Sequence, residues 1–308
     1  MEQNVDSALH SEEKERGKMK VLNMGSLNYD YVYRVDHIVV EGETLASTGM
    51  EMFCGGKGLN QSIALAKAGV PVYHAGLVGE DGESLRKSCE QYGVNTELIR
   101  KIPGKSGHTI IQVDSQAQNC ILLYGGSNRQ FTRAYIDEVL SHFVKGDFLL
   151  LQNEINEIPY IVERAYEKEM TIVLNPSPYD ETLSQVDLNK ISIFLMNEIE
   201  GAQIAGTGHP QDVLHEMRSR YPQARVVLTL GKEGSVYQDS RTVYQQESYQ
   251  VHAVDTTAAG DTFTGYFIAG LLQGMPVDEI MKRSARASAI AVSRKGAADS
   301  IPFARELS

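Results

Sequence analysis

The run Val254-Asp255-Thr256-Thr257-Ala258-Ala259-Gly260-Asp261-Thr262-Phe263 sets small residues directly ahead of a carboxylate. Side chains this small let backbone N–H groups converge on one point, and an apolar helical pattern begins immediately behind them. The free amides of a helix N-terminus form a ready anion site. An Asp in the first turn is often only a favourable partner for the helix dipole. Here it also stands beside amides able to take a phosphoryl oxygen. Phosphoryl transfer needs that pairing: stabilised charge on the moving group, and a base for the attacking hydroxyl. Asp261 is therefore read as the base, with Ala258, Ala259 and Gly260 as the anion hole.

Four other segments combine polar residues with turn positions, each with a plain alternative. Gly25-Ser26-Leu27-Asn28-Tyr29-Asp30 follows a strand-like run, where Asp30 is equally a turn former. Glu154 lies just past a strand end, where ligands of doubly wound sheets collect, although a surface carboxylate would look the same. Asn197-Glu198-Ile199-Glu200 alone is an ordinary polar helix start. Thr229-Leu230-Gly231-Lys232-Glu233-Gly234 after a strand is equally a tight turn.

The elements that must carry these segments alternate along the chain. Lys20–Met24, Val72–Val78, Phe148–Gln152, Thr171–Leu174, Ile191–Met196 and Arg225–Leu230 are short and apolar, as parallel strands buried on both faces are. Helical patterns lie between them. One spans Gly58–Ala68, with Leu59, Ile63 and Ala66 on one face and Gly69 at its end. Another spans Glu83–Tyr92, with Leu85, Cys89 and Tyr92 on one face, and stops at Gly93. The alternation predicts an α/β fold: a doubly wound, mostly parallel sheet with helices on both faces. Tyr31–Val40 with Thr48–Phe53, and Thr109–Asp114 with Asn119–Tyr124, read as inserted strand pairs. The second pair is joined by a turn over Ser115-Gln116-Ala117-Gln118. They predict a small β-sheet lid near 31–53 and 109–124, within one domain spanning 19–308. Alternation along the lid strand puts Thr109 and Ile111 on one face and His108, Ile110 and Gln112 on the other.

The chain has 308 residues and a formal net charge of −11, which argues against a general nucleic-acid binder. It contains no run of roughly 18 apolar residues, so no membrane span is expected. Residues 1–18 lack an apolar core and read as a flexible, solvated extension. Three cysteines without a CxxC pair fit reduced thiols in a cytoplasmic protein. Gly56-Lys57 is followed by Gly58, not Ser or Thr, so there is no P-loop; protein-kinase His-Arg-Asp and zinc HExxH motifs are also missing.

Ala258-Ala259-Gly260-Asp261-Thr262-Phe263 resembles the C-terminal signature of the ribokinase (PfkB) family of carbohydrate kinases. Phe53-Cys54-Gly55-Gly56-Lys57-Gly58-Leu59-Asn60-Gln61 resembles its N-terminal signature, and the likeness runs from about Lys20 to Pro302. The resemblance implies that Asn28, Asp30, Lys57, Asn60 and Glu154 bind a sugar, with Gly56 letting the backbone approach it. It implies that Asn197 helps place magnesium and phosphate and that Glu200 acts on magnesium through water. Thr229, Gly231 and Gly234, with Gly260, would bind ATP. Asp255, Thr257, Ala291, Arg294, Gly296 and Ser300 would form a potassium loop, mostly through backbone carbonyls. The implied reaction is ATP-dependent phosphorylation of a sugar primary hydroxyl, with D-ribose as leading acceptor and deoxyribose, another furanose or a nucleoside as alternatives. A sugar-binding regulatory protein without catalysis is the alternative of another class; it should lack Asp261 or Gly260, and both are present. A homodimer formed through the lid is also implied.

Overall fold

The computed structural model describes residues 19–116 and 118–307. The extension expected at 1–18, and Ala117 of the expected turn, lie outside the described residues. The chain enters through β1 (Val21–Met24) and continues into β2 (Asn28–Arg34), β3 (Gly49–Gly55), α1 (Lys57–Lys67), β4 (Val72–Val78), α2 (Glu83–Gln91) and β5 (Ile99–Lys101). Next come β6 (Gly107–Val113), β7 (Asn119–Tyr124), α3 (Arg133–Ser141), β8 (Phe148–Gln152), α4 (Ile158–Glu167) and β9 (Thr171–Asn175). The remainder is β10 (Ile193–Asn197), α5 (Glu198–Ala205), α6 (Pro210–Arg220), β11 (Arg225–Thr229), β12 (Ser235–Gln238), β13 (Val243–Gln246), α7 (Ala259–Leu272) and α8 (Val277–Val292).

The large sheet has the order β13-β12-β11-β10-β9-β8-β1-β4-β5. It is parallel from β11 to β5, while β12 and β13 run antiparallel at one edge. Successive strand residues point to opposite faces. Val21, Leu150 and Val227 accordingly pack under α1, α7 and α8, with Leu59, Ile63, Phe267 and Ile280. Leu22, Leu149 and Leu228 pack under α3 to α6, with Ile136, Ile161 and Val213. Fully burying one such aliphatic side chain contributes about 1.5–3 kcal/mol. The strand order reverses at β1, which has β4 on one side and β8 on the other. A crevice opens at such a switch point.

The small sheet has the order β3-β2-β6-β7 and is built from the segments expected to form a lid. One expectation needs correction. The strand read over Tyr31–Val40 ends at Arg34, because β3 pairs back only as far as Arg34↔Gly49. Val39 and Val40 are consequently exposed, at 36% and 64%. Leu59, Ile63 and Ala66 of α1 do pack on one side, against the same core cluster. The helix is buried nearly all round, including Asn60, Gln61 and Ser62, whereas Ala66 is only partly covered. Gly69 does take a left-handed backbone (φ 90°) behind it.

Candidate active site

Three features converge on the crevice: the C-terminal ends of β1 and β8, the start of α1, and the start of α7. α1 can come this close because two glycines permit it. A Cβ on Gly58 would stand 2.4 Å from the Ser26 nitrogen, and one on Gly265 would stand 2.4 Å from the Ala64 Cβ across the α1/α7 contact. This packing delivers Lys57, Asn60 and Gln61 to Asp261. Asp261 is 3% exposed. Its Oδ1 accepts from Gln61 Nε2 at 2.8 Å and its Oδ2 from Asn60 Nδ2 at 3.2 Å, with Lys57 Nζ 3.8 Å from Oδ1. Burial pulls the Lys57 ammonium down, but the charges of Asp261, Glu154 and Glu200 outweigh it and hold the group above its ordinary range.

Glu154 Oε2 accepts from the Ser26 hydroxyl and, at 2.9 Å, from the Lys57 backbone N–H. Burial raises its carboxyl above the usual range, against the opposing pull of Lys57. Asp30 extends from β2 beneath the lid, where Thr109 on β6 donates to its Oδ1 at 2.6 Å. Burial, with the Glu154 charge nearby, pushes Asp30 up to about 6. Thr109 faces Asp30, and the register sets His108, Ile110 and Gln112 on the outer face as expected. His108 lies against Tyr31 and Tyr124 there. Asn28 is buried and its Oδ1 accepts from Asn128 Nδ2 at 2.7 Å. Gly56 takes φ 93°, and a Cβ there would crowd the Asn28 nitrogen at 3.1 Å. The residues read as sugar ligands are therefore gathered around one crevice.

At the head of α7, Ala258 is the buried N-cap residue, and Ala259 N–H turns to the Thr256 carbonyl at 3.2 Å. Amides of a first turn have no partner within their own helix, so Gly260 and Asp261 present theirs at this end. Beside them lies a cavity of about 550 Å³ lined by Thr229, Gly231, Gly234, Thr256, Gly260 and Phe263, among others. Thr229, Gly260 and Phe263 also line a smaller cavity of about 60 Å³ that reaches Lys57, Asn197 and Glu200. The two cavities thus meet at Gly260, the residue before Asp261.

Asn197 and Glu200 form a capping box on α5. Asn197 Oδ1 accepts from Glu200 N at 2.9 Å, and Glu200 Oε2 accepts from Asn197 N at 3.1 Å. The helix-start reading and the ligand reading coincide here, since the capped Glu200 also edges the small cavity. Asp255 accepts from Thr257 N at 3.0 Å, from Thr257 Oγ1 at 2.5 Å and from Gly296 N at 3.1 Å. Burial works against these donors, which still hold its carboxyl below the ordinary range. Arg294 sends its guanidinium to Glu306, and its N–H takes the Ala291 carbonyl at 3.0 Å. Ser300 Oγ donates to Ala297 O at 2.7 Å. Of the loop residues, Thr257 and Gly296 are tied to Asp255, and the Arg294 side chain is turned to Glu306. Among the described residues, no group of three or more His, Cys, Asp or Glu is placed to hold a metal ion.

Sequence reasoning assigned no role to Asn23, Ser26, Gln61, Thr109, Asn128, Gln152 or Asn175. A shared signal runs through several of them: apolar strands whose last residue is polar, as in Phe-Leu-Leu-Leu-Gln152 and Thr-Ile-Val-Leu-Asn175.

A crevice at the switch point, a buried carboxylate at a helix start and an adjoining nucleotide-sized cleft describe a carbohydrate kinase. Residues 18–304 match the pfkB family of carbohydrate kinases, and the chain belongs to that family. The ribokinase of Haemophilus influenzae is 30% identical over 295 residues, covering 92% of this chain and 95% of that protein. The deoxyribokinase of Salmonella typhi is 28% identical over 295 residues, covering 92% and 96%. The structure of Arabidopsis thaliana ribokinase complexed with ribose and ATP superposes with a TM-score of 0.84 at 26% identity, covering 94% of this chain and 97% of that one.

Proposed function

We propose that this kinase transfers the γ-phosphoryl group of ATP to the primary hydroxyl of D-ribose, with Asp261 as base. The observation carrying this reading is the placement of Asp261, buried and held by Asn60, Gln61 and Lys57, where the sugar crevice meets the large cleft. Asn28, Asp30, Gly56, Lys57, Asn60 and Glu154 would orient the sugar. Its hydroxyl gives its proton to Asp261 while the oxygen attacks phosphorus in line. The amides of Gly260 and Asp261, with the Ala259 N–H turned instead to the Thr256 carbonyl, carry the charge developing on the phosphoryl oxygens. Closure of the lid excludes water, which otherwise competes as acceptor.

Magnesium fits the oxygen donors at the small cavity: it keeps several waters and needs only one or two carboxylates, here Glu200 beside Asn197. Bound there it would neutralise phosphate charge. Potassium fits the oxygen chemistry of Asp255 and the Thr257 hydroxyl, and the carbonyls of Ala291, Arg294 and Gly296 with the Ser300 hydroxyl would complete its shell; it would rigidify the loop that leads into α7. A homodimer through the lid is supported by the outer lid face, where Met50, Met52, Ile110, Leu122 and Tyr124 are 38–66% exposed on the register that also carries His108. Three free thiols support a reducing, cytoplasmic setting.

ATP consumption with magnesium and potassium, measured across ribose, deoxyribose, fructose and nucleosides, tests the reading alongside Asp261→Asn. Turnover highest with ribose and lost in the variant is expected. Turnover only with another acceptor retires ribose; nucleotide binding without turnover on any acceptor favours a sugar-binding regulator.

A further inference from the structure

A buried chain of side-chain amides leads to Asp261, and each link fixes the orientation of the next. Asn23 on β1 gives Nδ2 to the Gly58 carbonyl at 2.7 Å and to Ser62 Oγ at 2.8 Å. A backbone carbonyl can only accept, so Asn23 must turn its Oδ1 toward Gln152. Gln152 Nε2 donates to that oxygen at 3.0 Å and to Gln61 Oε1 at 2.7 Å. Gln61 is thereby obliged to present Nε2 to Asp261 Oδ1. A second anchor gives the same answer. Asn175 Nδ2 donates to the Leu195 carbonyl at 2.7 Å, which turns Asn175 Oδ1 toward Gln61 Nε2 at 3.4 Å. Asn23, Gln61 and Gln152 have no exposed surface, so bulk water does not compete for these bonds.

We infer that Gln61 is a positioning residue: it keeps Asp261 Oδ1 as a hydrogen-bond acceptor and leaves Oδ2 as the oxygen that takes the sugar proton. The inference rests on Asp261 being the base. An oxygen facing a fixed N–H donor cannot carry a proton on that side without losing the bond. Oδ2 receives only the longer Asn60 contact at 3.2 Å. In the step, the sugar O–H bond breaks and its proton goes to Oδ2. The oxygen's electron pair forms the new bond to the γ-phosphorus, and the bond to the β–γ bridging oxygen breaks to release ADP. The charged groups bearing on Asp261 are Lys57 at the head of α1 and Glu154 behind β8, and Lys57 is in turn held by Glu200 on α5. Gln61→Met and Gln152→Met leave all of these charges in place.

The test measures kcat and KM for ribose and ATP across pH for wild type, Gln61→Met, Gln152→Met and Asp261→Asn, with thermal melts of each. Gln61→Met keeps the length and removes the donor; Gln152→Met, at a position that does not contact Asp261, takes away the 2.7 Å anchor on Gln61 Oε1 and leaves only the longer 3.4 Å Asn175 contact to orient the amide. Both are expected to lower the plateau kcat about tenfold with KM little changed, and to move the acid limb of kcat up by about one pH unit. A Gln61→Met or Gln152→Met profile that superposes on wild type overturns the inference, as does a uniform loss at every pH tracking a lower Tm. Should Gln61→Met not fold, Gln152→Met decides alone. Asp261→Asn separates the two readings. If it retains turnover, the base assignment fails and the inference with it; if it is inactive while the Gln61 profile is unmoved, only the inference falls.

Discussion

Replacing Asp30 by Asn should stabilise the free protein and weaken it as an enzyme. Asp30 is held under the lid with one strong donor, the Thr109 hydroxyl, and its Oδ2 lies close against Gly55, where a Cβ would come within 2.0 Å. Burial, chiefly, raises its carboxyl from 3.8 to about 6. Below pH 3.8 the group is protonated in both folded and unfolded chains, and its ionisation costs nothing. Above pH 6 it is charged in both states, and the folded chain bears the full penalty. That shift corresponds to about 3 kcal/mol at neutral pH, the ceiling on what the neutral amide can recover. At about 2 °C per kcal/mol for a chain of this size, Tm at pH 7 rises by up to about 6 °C. Loss of one charged hydrogen bond to a sugar hydroxyl costs about 1.5–3 kcal/mol, so KM for the sugar rises roughly ten- to a hundredfold. Thermal melts stepped from pH 7 to pH 4, without and with ribose, make the measurement. The gain in the free protein should close as the pH falls from 6 toward 4, and ribose should protect wild type far more than the variant. No gain at pH 7, or a gain constant across pH 4–6, would refute a burial penalty on the charged carboxyl.

Three further outcomes are expected. Asp261→Asn should lower kcat by about 10²–10⁴ while calorimetry shows ATP binding within a few-fold of wild type. Gly265→Ala forces a methyl to 2.4 Å from Ala64 at the α1/α7 contact and should cost about 1–3 kcal/mol in denaturant melts. Lys67, whose ammonium donates to the Ala298 and Ile301 carbonyls at 2.9 Å, is brought down to about 8 by burial. Between that pH and about 10.4 the unfolded chain binds the extra proton, so wild-type stability rises with pH through this window; the Tm advantage over Lys67→Met should widen there.

Much of the fold was legible because buried parallel strands leave an unmistakable mark: short apolar runs bounded by turns. Six such runs fall on β1, β4, β8, β9, β10 and β11. The antiparallel edge was not, since Ser235–Gln238 and Val243–Gln246 carry as many polar as apolar residues and alternate weakly. The overshoot at Val35–Val40 has a related cause. β-branched residues favour extended backbone whether or not a neighbouring strand exists to pair with them.

The site was legible where a residue's job is done by its type, and hidden where the job is done by its neighbours. Asp261 stands out because a carboxylate behind small residues has few uses. Gln61 does not, since its amide matters only through the orientation that Gln152 and Asn175 impose. Those two lie 91 and 114 positions away in the chain, a separation that only the strand order brings to one point. The polar residues ending the adjacent strands β8 and β9 still carried a hint. Burying an amide at the end of an apolar strand costs free energy unless a partner waits for it, so a sequence that does this repeatedly implies a polar network at the strand ends. In this protein that network joins the floor of the crevice to Asp261, the proposed base. A substitution in the middle of it should therefore register in the kcat profile before it registers in substrate affinity.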